Sequence, residues 1–217
     1  MSKAVVILSG GMDSTTLLYD IVSQGYEAYA LSFNYNQKHK KELDCAKATC
    51  NKLNIPHKIL DLAVLNEVAP SSLTRDDREI PEGHYASDNM KQTIVPNRNM
   101  VMLSIATAYA IGIGAEKLFY GAHAGDHTIY EDCRPEFVES LKQAIKLCDA
   151  NPPELLAPYS TIDKGDIAII GKELEVDYSL TWTCYKGAEK ACGKCGACQE
   201  RLEAFQKAGI KDPIEYE

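Results

Sequence analysis

Residues 8–16 have the polar and glycine residues of a possible binding site. They follow an apolar run, form a glycine turn and lead into a predicted helix. Their order is Leu8-Ser9-Gly10-Gly11-Met12-Asp13-Ser14-Thr15-Thr16. A helix that begins after such a turn leaves its first backbone N–H groups unpaired and ready to bind phosphate. Two glycines let the backbone approach that phosphate closely. The run lacks the Gly-Lys-Ser/Thr ending of the Walker loop, and we expect residues 8–16 to form a different kind of phosphate-binding loop.

The second stretch is a cluster of four cysteines near the C-terminus: Cys184, Cys192, Cys195 and Cys198. Glycines between them permit the tight turns that bring several sulfurs to one ion. Four thiolates fill the tetrahedral shell of zinc at about 2.3 Å and leave no open position, so the predicted site is structural. An iron–sulfur cluster is the alternative metal site, because Cys-x2-Cys-x2-Cys also occurs in ferredoxins. A redox dithiol is the alternative without metal.

These two groups need a scaffold, and the order of the predicted elements supplies one. Apolar and β-branched runs alternate with helical patterns at the start of the chain and predict strands at 4–8, 27–33 and 56–60 and helices at 13–24 and 40–53. A β-α-β-α-β start implies a doubly wound parallel sheet of the α/β class, which binds ligands at the carboxyl ends of its strands. The phosphate loop follows the first of these ends.

The remainder of the chain predicts fewer regular elements. Residues 69–95 lack periodicity, and we expect a mobile cover over the site, since long loops in compact domains are usually functional or disordered. Beyond it, the patterns predict helices at 96–113, 135–148 and 163–174 and a strand at 117–122.

The composition of the chain indicates which partners it can bind and in which cell compartment it works. The chain has 217 residues, of which 45% are hydrophobic, and its net charge is −8. This size suits one large α/β domain with a small appendage. The acidic balance argues against non-specific binding to nucleic acid. No apolar run reaches the length of an export signal or a membrane span. We therefore expect a cytoplasmic protein with free or metal-bound cysteines and no membrane or nucleic-acid partner.

Several blocks, in order along nearly the whole chain, resemble the 7-cyano-7-deazaguanine synthase family of the ATP pyrophosphatases, whose PP-loop reads Ser-Gly-Gly-x-Asp-Ser. Besides the loop, these blocks are Phe33–His39, Val95–Asn99, Gly121–Asp126, Asp132–Phe137 and Thr181–Cys184 leading to the later cysteines. The resemblance implies an adenine nucleotide alpha-hydrolase-like, Rossmann-like fold. Residues 1–180 would form the ATP-binding PP-loop domain, and 181–217 a zinc-binding module packed on it.

The resemblance also implies a reaction. ATP with Mg²⁺ would convert 7-carboxy-7-deazaguanine and ammonia to the nitrile 7-cyano-7-deazaguanine, in queuosine biosynthesis. Hydroxide is a poor leaving group, so AMP transfer to the carboxylate is needed before ammonia can attack. Loss of the amide oxygen then calls for a second AMP transfer. Such a site needs no nucleophilic side chain; it positions the reactants and stabilises charge on the phosphates.

Three residues are predicted to be catalytic: Asp13, Arg98 and Lys164. Asp13 is assigned to Mg²⁺ or to fixing the loop, with an interaction with the helix dipole as the alternative. Arg98 and Lys164 are assigned to the α-phosphate or the substrate carboxylate, with solvated surface charge as the alternative.

The predicted substrate-binding residues are Asp126, His127, Asp132 and Arg134. Either aspartate would accept hydrogen bonds from the amino edge of the base. His123 and His127 flank this cluster and have the side chain suited to proton transfer near pH 7. Arg134 would hold the same loop through a carboxylate.

Other functions remain open at this point. A tRNA-modifying thiolase or a lysidine-type ligase shares the loop but needs an RNA-binding surface. A zinc-containing adaptor would have kept the nucleotide fold without its activity. A relative that couples the deazapurine to a protein would use the same activation. The ammonia source is not encoded, and a homodimer is expected only because two-fold dimers are the commonest oligomers.

Overall fold

The computed structural model describes all 217 residues and contains a five-stranded sheet in which every strand pairing is parallel. The strands, in the spatial order β3-β2-β1-β4-β5, are β1 (Lys3–Ile7), β2 (Glu27–Asn34), β3 (His57–Asp61), β4 (Lys117–Phe119) and β5 (Glu154–Leu156). The helices are α1 (Met12–Ser23), α2 (Lys41–Leu53), α3 (Val64–Val68), α4 (Arg98–Ile113), α5 (Pro135–Ile145), α6 (Lys164–Glu173) and α7 (Gly196–Ala208). The doubly wound α/β class is confirmed.

Strand β1 lies at the centre of the sheet because its residues are buried on both faces. Val5 packs with Leu118 and Leu103 on the side of α4, whereas Val6 packs with Leu17 on the side of α1. The chain builds β2 and β3 on one side of β1 and then crosses to build β4 and β5 on the other. This reversal opens a cleft between the carboxyl ends of β1 and β4, where such folds bind ligands.

The segment after residue 180 packs directly on the sheet domain. Arg201 of α7 is fully buried and donates to both carboxylate oxygens of Asp212, at 2.7 and 2.9 Å. The same guanidinium donates to the Thr181 hydroxyl at 2.8 Å. The Trp182 amide donates to the Gly10 carbonyl at 2.9 Å. A charged group without solvent is stable only when it is paired and hydrogen-bonded, and Arg201 thereby holds this segment against the phosphate loop.

The structure differs from the sequence prediction in four elements. Strand β4 ends at Phe119, not at 122, although the Tyr120 amide still donates to Leu156. The short helix α3, the short strand β5 and the thirteen-residue helix α7 were not predicted. The segment 69–95 lies over the cleft, with Tyr85 and two later residues in the wall of the cavity. None of the helices is long and apolar enough to cross a membrane.

Candidate active site

The N-terminus of α1 presents free backbone donors to the cleft. The first hydrogen bond within the helix runs from the Thr15 amide to the Gly11 carbonyl, at 3.1 Å. The amides of Met12, Asp13 and Ser14 precede this bond and have no acceptor in the protein. Such N–H groups, together with the helix dipole, form an anion site. The predicted phosphate loop thus has the backbone geometry that phosphate binding requires.

Hydroxyl groups brace this loop from within. The Ser9 and Ser14 hydroxyls are 2.9 Å apart, and the Ser9 amide donates to the Ser14 hydroxyl at 3.1 Å. Gly10 has a φ of +92°, and a Cβ there would lie 1.9 Å from the Glu42 carbonyl oxygen. Gly10 is therefore required by the close packing of α2 as well as by its own backbone conformation.

A buried cation lies beside the loop. The Lys164 ammonium is 3.3 Å from an Asp13 carboxylate oxygen and donates to Glu200 at 2.5 Å. Burial alone would lower the pKa of Lys164, but the carboxylates of Asp13 and Glu200 raise it above its usual value. Lys164 is therefore charged, and it is available to neutralise a phosphate at the start of α1. The other Asp13 oxygen is buried and has no hydrogen-bond partner.

The backbone of Lys164 is fixed by a capping box at the start of α6. The Asp163 carboxylate accepts from the Asp166 amide at 3.0 Å, and the Asp166 carboxylate accepts from the Asp163 amide at 3.3 Å. The Lys207 ammonium of α7 donates to both carboxylates at 2.7–2.8 Å. These bonds anchor the first turn of α6 to α7 and aim Lys164 into the cleft.

His123 and Asp126 occupy the loop after β4, next to this cation. The Gly125 amide donates to His123 Nδ1 at 3.1 Å, so the neutral ring carries its proton on Nε2. Nε2 faces an Asp126 oxygen at 3.5 Å and an Asp13 oxygen at 3.9 Å. The histidine is buried, and its orientation is set by the loop backbone. Its free proton is directed at the carboxylates beside the phosphate loop.

The other end of the cavity is aromatic and contains Arg98. The Arg98 guanidinium donates to the Tyr35 hydroxyl at 3.2 Å. The Tyr130 hydroxyl lies 2.8 Å from the Thr93 hydroxyl and 3.5 Å from that of Tyr185. Burial raises the pKa of Tyr35 to about 12, so this hydroxyl stays neutral. Flat side chains with a few polar groups suit a planar heterocycle.

His39 and Glu42 form a buried polar pair in the same wall. His39 Nε2 is 3.4 Å from a Glu42 oxygen, and Gln37 donates to the other oxygen at 3.0 Å. Burial lowers the pKa of His39 to about 3 and raises the pKa of Glu42 to about 8. Both side chains are therefore neutral at pH 7. His39 Nδ1 has no hydrogen-bond partner, which leaves one polar atom of this pair free.

Replacing Glu42 with glutamine is expected to reduce the loss of stability as the pH rises from about 4.5 to about 8. Burial raises the carboxyl pKa from 4.5 to about 8, so between these values the folded chain holds a proton that the unfolded chain has lost. The stability due to this proton is complete below the unfolded pKa and is lost as the pH rises through the folded pKa. Thermal denaturation between about pH 4.5 and pH 8 should show a pH-dependent loss of up to ~5 kcal/mol in the wild type that the variant lacks, at ~1.4 kcal/mol per pH unit.

The matched control for this prediction is Glu173→Gln, which alters an exposed carboxylate at the end of α6. It should follow the wild-type pH dependence. Parallel wild-type and Glu42→Gln curves across this pH range would contradict a protonated Glu42.

The four predicted cysteine ligands meet in one buried cluster. Cys184, Cys192, Cys195 and Cys198 place their sulfur atoms within 4.8 Å of one another. The sulfurs of Cys192 and Cys198 are 4.0 Å apart, close to the ~3.8 Å expected for two thiolates on one tetrahedral zinc at 2.3 Å. The Cys195 amide donates to the Cys192 sulfur at 3.3 Å, which fixes this turn of the cluster. The cluster is a metal-binding group of mononuclear dimensions.

The cavity at the cleft, of about 250 Å³, brings together most of the predicted catalytic and phosphate-binding residues. Its wall includes Leu8, Ser9, Gly11, Asp13, Ser14, Arg98, Asp126 and Lys164. The side chains of Met12, Thr15 and Thr16 are instead buried within α1. The Thr16 hydroxyl donates to the Met12 carbonyl, so it is already used within the helix.

Three of the predicted substrate-binding residues lie outside the cavity wall. The Asp132 carboxylate accepts from the Asn99 amide at 3.1 Å, at the start of α4. Arg134 pairs with Glu131 and donates to the His127 carbonyl at 3.0 Å. These contacts hold the loop that carries Asp126. Of the four predicted residues, only Asp126 reaches the cavity. Substrate contact stays a prediction for the other three, His127, Asp132 and Arg134.

Sequence reasoning missed Glu200, and it did not assign His39 or Glu42 to the site. Glu200 lies on α7, whose buried face follows the spacing Ala197, Arg201, Ala204, Phe205 and Ala208. This helical period was present in the sequence and would have placed Glu200 at the edge of the buried face. Nothing in the sequence indicates that His39 and Glu42 turn inward, since both occupy a polar stretch.

An anion-binding helix start at the topological switch point, with Lys164 and Asp13 beside it, defines a phosphate-binding α/β protein with a loop of the PP-loop kind. Solved structures with this fold include a 4-thiouridine synthetase in complex with RNA and ATP, at a TM-score of 0.56 and 18% identity over 96% of this chain and 50% of that one. An NMN synthetase from Francisella tularensis matches 97% of this chain and 78% of its own, at a TM-score of 0.54 and 16% identity. At such identities the likeness shows the fold alone.

Sequence comparison identifies the family within this class. The family model described as "Queuosine biosynthesis protein QueC" matches residues 3–209, and the chain belongs to that family. A relative from Methanoregula boonei, named 7-cyano-7-deazaguanine synthase, is 66% identical over 99% of both chains. A relative of the same name from Caldicellulosiruptor saccharolyticus is 64% identical over 99% of this chain and 96% of its own. The chain is thus an enzyme of queuosine biosynthesis, as the motifs predicted.

Proposed function

We propose that the chain converts 7-carboxy-7-deazaguanine, ammonia and ATP to 7-cyano-7-deazaguanine, AMP and pyrophosphate. The observation that carries the proposal is the cavity shared by the free N–H groups of α1, the Lys164 ammonium and an aromatic wall. One end of this cavity suits a polyphosphate, and the other suits a planar base. The name of the full-length relatives at 64–66% identity supports the same reaction.

The proposed chemistry has two activations. The substrate carboxylate attacks the α-phosphorus of ATP, and the bond to pyrophosphate breaks. Ammonia then displaces AMP from the mixed anhydride to give an amide. The amide oxygen attacks the α-phosphorus of a second ATP and again releases pyrophosphate; loss of AMP and of both protons on the amide nitrogen then leaves the nitrile. Each step moves charge on the phosphates, and fixed cations and N–H groups stabilise that charge.

We assign roles to the side chains from their positions in the cavity. Lys164 and the α1 amides hold the phosphates, and Arg98, at the aromatic end, pairs with the substrate carboxylate. The free Asp13 oxygen is a suitable ligand for Mg²⁺, which neutralises charge on the phosphates when it is bound with ATP. Asp126 accepts from the amino edge of the base, and the Nε2–H of His123 is placed to donate to the carboxylates of Asp126 and Asp13.

We propose that the four cysteines bind zinc. Their sulfur separations fit one tetrahedral ion, whereas a [4Fe–4S] cluster binds each cysteine at a separate iron atom and needs wider spacing. All four thiols are buried, so the site has no position for a substrate and is structural. We propose a cytoplasmic location, where thiols stay reduced and are able to bind a metal.

Mass spectrometry tests the proposed reaction directly. The protein is incubated with ATP, Mg²⁺, ammonium and 7-carboxy-7-deazaguanine, and the expected products are the nitrile and AMP. In ammonium labelled with ¹⁵N, the nitrile should be one mass unit heavier, which identifies ammonia as the nitrogen source. AMP without nitrile would point to another acceptor. A folded, metal-loaded protein that cleaves no ATP would contradict the proposal.

A further inference from the structure

Helix α7 connects the four-cysteine cluster to the phosphate end of the cavity. Cys195 is the residue that caps the start of α7, and Cys198 lies in its first turn. Glu200 follows Cys198 by two residues and reaches the cavity wall, with 11% of its side chain exposed. A metal bound by Cys195 and Cys198 therefore fixes the part of the helix that carries Glu200.

The Glu200 carboxylate fills the space between Lys164 and the loop after β4. One oxygen accepts from the Lys164 ammonium at 2.5 Å. The other is 4.0 Å from His123 Nε2, and a Cβ at Gly125 would lie only 2.7 Å from it. The carboxylate is thus closely packed, with little freedom to move away from Lys164.

Lys164 has two carboxylate partners, and they differ in their place in the reaction. Asp13 lies on the phosphate loop, and one of its oxygens has no partner in the protein. Glu200 is the shorter contact and comes from a helix outside the loop. When Asp13 serves the phosphates and their metal ion, Glu200 is the partner that keeps the flexible lysine side chain in place.

We infer that Glu200 is a positioning residue, which holds the Lys164 ammonium at the phosphates and makes the ATP site depend on the metal-bound start of α7. This inference rests on the proposed function. A lysine that is misplaced by about 1 Å loses much of its effect on the transition state while ATP still binds. The role is therefore expected to appear in kcat and not in the KM for ATP.

Glu200→Gln is expected to lower kcat for AMP formation by about 100-fold, with little change in the KM for ATP. The glutamine keeps the shape of the side chain but not its charge, and metal analysis should still find one ion per chain. The matched control is Glu203→Gln, which changes an exposed carboxylate on the same helix and should keep wild-type kcat. Wild-type kcat in Glu200→Gln would overturn the inference.

A double-mutant cycle with Lys164→Met separates positioning from other roles. If Glu200 acts through Lys164, Glu200→Gln lowers kcat no further in the Lys164→Met background. An equal loss in both backgrounds overturns the inference. If Glu200→Gln loses its metal, the cycle is repeated with Glu200→Asp. This variant keeps the negative charge but places it one methylene further from Lys164. The same two outcomes then support or overturn the inference.

Chemical labelling of Lys164 tests this inference without measuring catalysis, so its result does not depend on whether the proposed reaction is correct. The Lys164 amine is buried and paired, so acetic anhydride should label it slowly in the wild type. Glu200→Gln should increase labelling of Lys164 several-fold, as measured by peptide mass spectrometry, and leave the exposed Lys146 unchanged. Unchanged labelling of Lys164 overturns the inference even where the wild type makes nitrile. Increased labelling supports it even where the wild type makes none.

Discussion

Asp13→Ala is expected to lower AMP formation by about 1000-fold or more, because it removes the one loop carboxylate that reaches both Lys164 and the phosphate site. Its oxygen lies 3.3 Å from the Lys164 ammonium, and its second oxygen has no partner within the protein. The variant should fold with its metal, since an acidic residue in the first turn of a helix contributes only ~0.3–1 kcal/mol through the helix dipole. Initial rates of AMP release, with thermal denaturation and metal analysis of the same samples, test this.

Asp20→Ala is the matched control for this prediction. Asp20 lies on the same helix, away from the cavity, where its carboxylate accepts from Tyr159 at 3.2 Å. This variant should keep kcat even if its stability falls. An Asp13→Ala enzyme with more than about a tenth of wild-type kcat would show that the assignment of Asp13 to Mg²⁺ or to fixing the loop is wrong.

Cys195→Ser is expected to remove the metal and to destabilise the fold. Structural zinc supplies ~10–16 kcal/mol of apparent binding free energy in small domains, and that energy contributes to folding. Losing about a third of it would lower the melting temperature by roughly 8–16 °C in a chain of this size. Activity should fall as well, because Gly196, Ala197 and Glu200 of the adjoining helix line the cavity.

Elemental analysis and calorimetry check this second prediction. Cys148→Ser is the matched control, since Cys148 is exposed and lies outside the cluster. It should keep both the metal and the melting temperature. Zinc in the wild type with none in Cys195→Ser is the expected result; a metal-free variant of undiminished stability would contradict a structural role. Iron with a visible absorption band in the wild type would favour the iron–sulfur alternative.

The phosphate loop and the cysteine cluster were predictable because each is local in sequence. The turn at Gly10 and Gly11 lies between the end of β1 and the start of α1, and the residues that determine it are adjacent in the chain. The cysteine spacing brings four sulfurs together within fifteen residues, and the structure places them within 4.8 Å. The sheet followed from the same kind of evidence, because alternating apolar and helical patterns predict β-α-β units.

The substrate end of the cavity was less predictable. Asp132 and Arg134 have the residue types that bind a polar base, yet the structure uses them to hold the start of α4 and a neighbouring loop. His39 and Glu42 lie in a polar stretch and nevertheless turn inward. The residue type limits the chemistry that a side chain is able to perform. The direction in which the side chain points depends on the elements packed around it.

The sequence by itself determined the first strands and helices of the sheet, the glycine turn at the start of α1 and the grouping of four cysteines, because periodicity and spacing act on a few neighbouring residues. Only the tertiary structure decided which charges meet. Lys164 lies 151 positions after Asp13 and 36 before Glu200, yet its ammonium contacts both. Contacts over such separations depend on how α6 and α7 pack against the sheet, and no local pattern encodes that packing.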